Sequence, residues 1–143
     1  MHRFIKAVGS GAKRARDLSR GEAREAMALV CDGAARLLSG EPLREALAAV
    51  APLAPDLVGV NCMPPAALDA SLAALVELGR PFGVYANLGA PHDDGGWTRS
   101  DAWGPAAFAA QALRWRAAGA RAVGGCCGSG PEHIRAIRAA LAG

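Results

Sequence analysis

Four times between residues 26 and 143, a short apolar run ends in a turn and gives way to an amphipathic stretch. This alternation limits the fold more than any other feature of the chain. The first run is Ala26-Met27-Ala28-Leu29-Val30-Cys31, ending at Asp32-Gly33. Ser39-Gly40-Glu41-Pro42 then opens a stretch whose Leu43, Leu47 and Val50 follow helical spacing. The second run, Leu57 to Cys62, is stopped by Met63-Pro64-Pro65 and followed by a helix with Leu68, Leu72, Leu75 and Val76 on one face. The third, Phe82 to Asn87, enters a long polar loop from Gly89 to Gly104. Pro105 suits the first position of the next helix, where a missing N–H costs nothing, and Phe108, Ala112 and Trp115 give that helix its buried stripe. The fourth run, Ala120 to Gly125, leads into Cys126-Cys127, and Pro131 starts a last helix with Ile134, Ile137 and Leu141 predicted inward.

Strands alternating with helices predict parallel βαβ units, an α/β fold. Such folds, (β/α)8 barrels included, carry their sites at the C-terminal ends of the strands. Four units make half of a barrel, since a complete one takes about 250 residues and this chain has 143.

Composition excludes several function classes. Hydrophobic residues form 52% of the chain, a globular composition. No apolar run approaches the roughly 20 residues that span a bilayer. The net charge of +3 is concentrated in a basic leader, residues 1–25, with Arg3, Lys6, Lys13, Arg14, Arg16 and Arg20. This leader reads as a solvated face, with a transit peptide as the lesser alternative. It lacks interleaved aromatics that would stack on bases, so neither nucleic acid nor membrane is expected as a partner. Without a secretory signal, the four cysteines read as reduced thiols in a cytoplasmic protein, and metal or catalysis comes before disulfides.

Three of those cysteines end two strands: Cys62 on one, Cys126 and Cys127 on another. Adjacent residues of a regular strand point to opposite faces. Both members of the pair can meet one ion only where the backbone leaves strand geometry. Gly124-Gly125 before the pair and Gly128 after it are expected to supply that freedom through positive φ. Zinc sites that do chemistry commonly use three protein ligands and keep a fourth position open. Three thiolates on zinc leave a net negative centre, suited to holding a substrate thiol as a nucleophile rather than to activating water. By itself the pair also reads as two buried small hydrophobes or a strained vicinal disulfide, and Gly124 to Gly130 as an anion-binding turn. Gly9-Ser10-Gly11-Ala12-Lys13 resembles a phosphate loop only superficially.

Gly59-Val60-Asn61-Cys62, Val84-Tyr85-Ala86-Asn87-Leu88-Gly89 and Gly124-Gly125-Cys126-Cys127-Gly128-Ser129-Gly130-Pro131-Glu132-His133-Ile134 strongly resemble the homocysteine S-methyltransferase family. Leu37-Leu38-Ser39-Gly40-Glu41-Pro42-Leu43 also resembles the stretch after that family's fifth strand, and the likeness runs over residues 26–143. The resemblance implies the C-terminal half of a (β/α)8 TIM barrel with Zn2+ on Cys62, Cys126 and Cys127. It implies homocysteine as methyl acceptor, methionine as product, and S-methylmethionine or S-adenosylmethionine as donor. The family's first four strands and its acidic substrate-gripping residues have no counterpart here. A partner half, self-association or an inactive zinc- or thiol-binding fragment is therefore expected.

Asn61 and Asn87, at strand ends, are candidate substrate contacts or backbone partners. Cys31 is expected to be a structural thiol, and His133 to cap or pack rather than ligate. His92, Asp93 and Asp94 read as solvated loop residues with a lid as the alternative. Trp97 and Trp103 read as exposed loop residues, or as cation–π cover for a sulfonium donor.

Overall fold

A computed structural model of the chain describes residues 27–29, 35–37, 40–91 and 97–143. The leader, Cys31, Asp32-Gly33, His92, Asp93 and Asp94 lie outside the described residues.

The chain order is β1 (Met27–Leu29), α1 (Leu43–Val50), β2 (Val58–Met63), α2 (Pro65–Glu77), β3 (Phe82–Ala86), β4 (Gly89–Pro91), β5 (Trp97–Arg99), α3 (Pro105–Ala117), β6 (Ala122–Gly125) and α4 (Pro131–Ala142). Strands β1, β2, β3 and β6 form one parallel sheet in that order. Neighbouring positions in the sheet are thus filled in chain order, with no reversal. Right-handed crossovers then bring every connecting helix to the same face, which is a singly wound arrangement. Among the described residues, β1 and β6 each pair with one strand.

Proline sets the start of three helices: Pro65, Pro105 and Pro131 stand at the first helical position of α2, α3 and α4, where φ is already helical and no donor is lost. The end of α3 needs a left-handed residue. Gly119 takes φ +105, its N–H reaches the Arg116 carbonyl, and the Ala120 N–H reaches that of Trp115.

The core lies between helices and sheet. Val58 and Val60 of β2, with Phe82 and Val84 of β3, alternate onto the helix-covered face, and Leu47, Leu68, Leu75, Phe108 and Trp115 pack over them. Each such side chain contributes about 1.5–3 kcal/mol. Helices α2 and α3 are tied by Asp69, whose Oδ1 accepts from Gln111 Nε2 at 2.9 Å and Trp115 Nε1 at 2.8 Å. On the sheet's other face, Gly59, Gly83 and Ala122 share one row, and Asn61, Tyr85 and Gly124 the next.

Three expectations are corrected. Ile137 of α4 is buried as expected, but Ile134 and Leu141 are 47% and 42% exposed, and the polar His133 faces inward beside Ile137 in their place. Val76 of α2 is also exposed, because the face of α2 is set by Leu68, Leu75 and Ala67. The loop from Gly89 to Gly104 is ordered over its ends: β4 and β5 pair antiparallel, and Asp101–Trp103 form a 3-10 turn.

Candidate metal centre

Strict alternation after Val58 and Val60 would send Cys62 into the helix-covered core. A bulge prevents this. Asn61 pairs with Tyr85 and Met63 with Ala86, so Cys62 is the extra residue between them. Met63, fully buried, takes the core position that Cys62 would have filled. Cys62 itself adopts φ +62, a left-handed conformation that is costly for a residue with a Cβ.

The second cysteine-bearing strand ends differently. The Cys126 N–H donates to the Ala86 carbonyl at 2.7 Å, and the Leu88 N–H donates to the Cys127 carbonyl at 2.8 Å. The pair is therefore pinned to the chain leaving β3. Ser129 Oγ donates to the Cys126 carbonyl at 2.8 Å, and Gly128 turns the chain with φ +76. Gly124 and Gly125 do not supply positive φ, contrary to expectation; they lie in extended β6. Their lack of a side chain is what matters. A Cβ on Gly124 would lie 2.8 Å from the Tyr85 ring, and one on Gly125 would collide with the side chain of Ser129, whose hydroxyl is hydrogen-bonded to the Cys126 carbonyl.

These two backbone devices bring three thiols together. Cys62 Sγ lies 3.6 Å from Cys127 Sγ, Cys126 Sγ lies 3.7 Å from Cys127 Sγ, and all three sulfurs fall within 4.8 Å of one another. All three cysteines are free and half-buried. Sulfurs around a tetrahedral zinc, at about 2.3 Å from it, stand about 3.8 Å apart. The donor set, its spacing and its partial exposure therefore fit zinc with one position left open. Burial pushes the Cys62 thiol up to about 12, with its hydrogen bonds to the Cys127 and Cys126 thiols adding to the effect. Burial also raises Cys126 above its ordinary value. Without a cation the site holds protons, and a metal must displace them.

A cleft of about 410 Å³ is lined by Pro64, Pro65, Asn87, Leu88, Gly89, Ala90, Thr98, Ser100 and Trp103, and it is joined to the centre through Leu88, whose N–H bonds the Cys127 carbonyl. Among the described residues, no charged one lines it. Asn87 Oδ1 accepts the Gly89 N–H at 2.9 Å, a local backbone role, while Asn87 also borders the cleft. Asn61 is half-buried one residue before the bulge. Trp103 is half-buried rather than a free loop residue, and Trp97 pairs through its backbone with Pro91. His133 is no ligand: its Nδ1 accepts the Gly130 N–H at 3.0 Å and its Nε2–H donates to the Trp103 carbonyl at 3.1 Å.

Ser129 and the Trp103 carbonyl were not singled out from the sequence. A serine three residues after Cys126 carries a turn signal that points to the first; nothing local marks the second.

The homocysteine S-methyltransferase family model matches residues 8–141. The chain belongs to that family. Homocysteine S-methyltransferase 4 of Zea mays is 38% identical over 109 residues, covering 72% of this chain and 32% of its own length. Selenocysteine Se-methyltransferase of Brassica oleracea var. italica is 31% identical over 109 residues, covering 73% and 32%. Among solved structures, the oxidized form of the homocysteine methyltransferase MmuM from Escherichia coli aligns with TM-score 0.59 and 30% identity over 91% of this chain and 38% of that one. The chain thus spans about a third of the length of the relatives it matches. Among the described residues, no helix is long and apolar enough to cross a membrane.

Proposed function

We propose that this chain, over residues 26–143, is the zinc-bearing half of a (β/α)8 barrel that transfers a methyl group to the thiol of homocysteine. One observation carries the reading: three free thiols from two strand ends stand at tetrahedral spacing, one of them in a left-handed conformation. Strain of that kind persists where the surrounding structure demands it, as it does at working sites. Family membership and the singly wound sheet support it. Three free thiols fit the reducing cytoplasm.

Cys62, Cys126 and Cys127 would hold the zinc. When bound, zinc on three thiolates would lower the pKa of a substrate thiol and keep its sulfur nucleophilic. The chain's own residues then orient and exclude. Pro65 and Leu88 give one wall of the cleft an apolar surface, Asn87 at its border would bond a polar end of a substrate, and Asn61 at the end of β2 is the second candidate contact. The homocysteine sulfur attacks the methyl carbon of a sulfonium donor. The new C–S bond forms as the donor's breaks, and the electron pair stays on the departing sulfide; the thiol proton leaves to solvent. With S-methylmethionine as donor, both products are methionine.

A second reading is favoured by the two edges of the sheet, since among the described residues β1 and β6 each pair with one strand. In it, the chain binds zinc and thiol but is inactive alone and turns over only when a separate partner half completes the barrel. Methionine formation from homocysteine with S-methylmethionine or S-adenosylmethionine separates the two. The first reading expects turnover by the reduced, zinc-loaded chain and none by Cys127→Ala. Zinc binding without turnover selects the second reading. Turnover unchanged in Cys127→Ala would refute both.

A further inference from the structure

The loop that carries Cys126 and Cys127 and the turn that carries Trp103 meet at one side chain. Helix α4 begins at Gly130, which has no side chain with which to cap it. His133, three residues on, serves instead. Its backbone N–H donates to the Gly130 carbonyl at 3.1 Å, and its Nδ1 accepts the Gly130 N–H at 3.0 Å. The ring's other nitrogen crosses to the Trp103 carbonyl at 3.1 Å. A backbone N–H can only donate, so Nδ1 must accept and the proton sits on Nε2. The same tautomer satisfies both bonds. The Glu132 carboxylate also lies 3.3 Å from Nδ1, but it could pair there only with a protonated ring, which would forfeit the Gly130 bond. The ring is 6% exposed and meets the Phe108 ring edge-on at 6.0 Å between centroids.

We infer that His133 is a positioning residue, which clamps the cysteine loop to the Trp103 wall of the cleft through its two ring nitrogens. Gly130 lies three residues beyond Cys127, and Trp103 lines the cleft. The clamp therefore ties the loop that follows the cysteine pair to one lining residue of the cleft. Its catalytic meaning rests on the function proposed above; its mechanical part does not.

Hydrogen exchange on the full chain, metal-free and in parallel with zinc, tests it with two variants. His133→Phe keeps a ring of similar shape against Phe108 but has no nitrogen to offer. Exchange is expected to quicken by about fivefold to tenfold in both the Leu88–Gly104 and the Gly125–Ile134 segments. Zinc affinity, read by competition with a chromophoric chelator, should fall by about tenfold. In His133→Gln the side chain can still reach back to the Gly130 N–H, as glutamine does at this helix position. It should restore protection in Gly125–Ile134 and zinc affinity, while Leu88–Gly104 stays fast. A residue that merely packs gives the opposite order, with His133→Phe tolerated and His133→Gln disruptive, and that result would overturn the inference. So would equal quickening of both segments in the two variants. Exchange is read without substrate, so a chain that takes up no zinc and makes no methionine refutes the proposed function and leaves the clamp standing.

Discussion

Cys62 Sγ stands 3.6 Å from Cys127 Sγ although the two residues are 65 apart in the chain. Parallel pairing of β2 with β3 and of β3 with β6 brings the strand ends side by side. The bulge then turns Cys62 out of the core, and the bonds from Cys126 and Cys127 to Ala86 and Leu88 hold the pair against it.

Cys62 holds φ +62 with a Cβ. Cys62→Gly is therefore expected to be more stable than Cys62→Ala in the metal-free state, by about 1 kcal/mol. Thermal or urea unfolding of the two variants measures this. Both should lose zinc equally, since neither carries a thiol. Equal stability would mean that the bulge relaxes when the sulfur is gone.

The fully buried Met63 occupies the core position that the bulge opens. Met63→Ala is expected to cost about 2–5 kcal/mol and to weaken zinc binding as well, because the bulge loses its anchor. Met63→Leu should cost under about 1.5 kcal/mol and keep the metal. Unfolding curves and zinc competition on the same preparations check both.

Folded and metal-free, Cys62 titrates at about 12 against an ordinary 9.0. Between those values the unfolded chain has released a proton that the folded chain still holds. Stability is fully present below the lower value and is lost as pH rises toward the upper one. The unfolding midpoint of the metal-free chain should fall through that window, and fall less in Cys62→Ala. Zinc uptake should release protons, so its apparent affinity rises with pH around neutrality.

A Cβ at Gly124 would meet the Tyr85 ring at 2.8 Å. Gly124→Ala is expected to destabilise by about 1–3 kcal/mol. A double-mutant cycle with Tyr85→Ala should recover most of that loss, since the pair then no longer collides. Additive losses would place the cost in the backbone instead.

Much of this was legible in the sequence because it rests on local chemistry. Proline at the first position of α2, α3 and α4, and apolar runs between them, mark every parallel strand to within two residues of its observed start. The cysteines were legible as strand-end residues. What alternation alone hid was the bulge, although a trace of it is visible. Met63 is apolar but out of phase with Val58 and Val60, as it must be if one residue is extra. Glycine was read by its commonest property, positive φ, which holds for Gly128. At Gly124 and Gly125 the constraint comes from Tyr85 and Ser129, and close approach between side chains of distant segments leaves no local mark. The phase of α4 failed at Ile134 for a similar reason. His133 is drawn inward by the Gly130 N–H and the Trp103 carbonyl, and Ile134 is turned outward as a result.

Zinc content of the purified, reduced chain tests the central claim most directly, measured by elemental analysis beside Cys62→Ala and Cys126→Ala. The account predicts one zinc per chain in the parent, with affinity falling in each variant by more than the roughly 10- to 100-fold that loss of a supporting residue costs. A parent chain without zinc, or variants that retain it undiminished, would contradict the assignment of these three thiols as a metal centre.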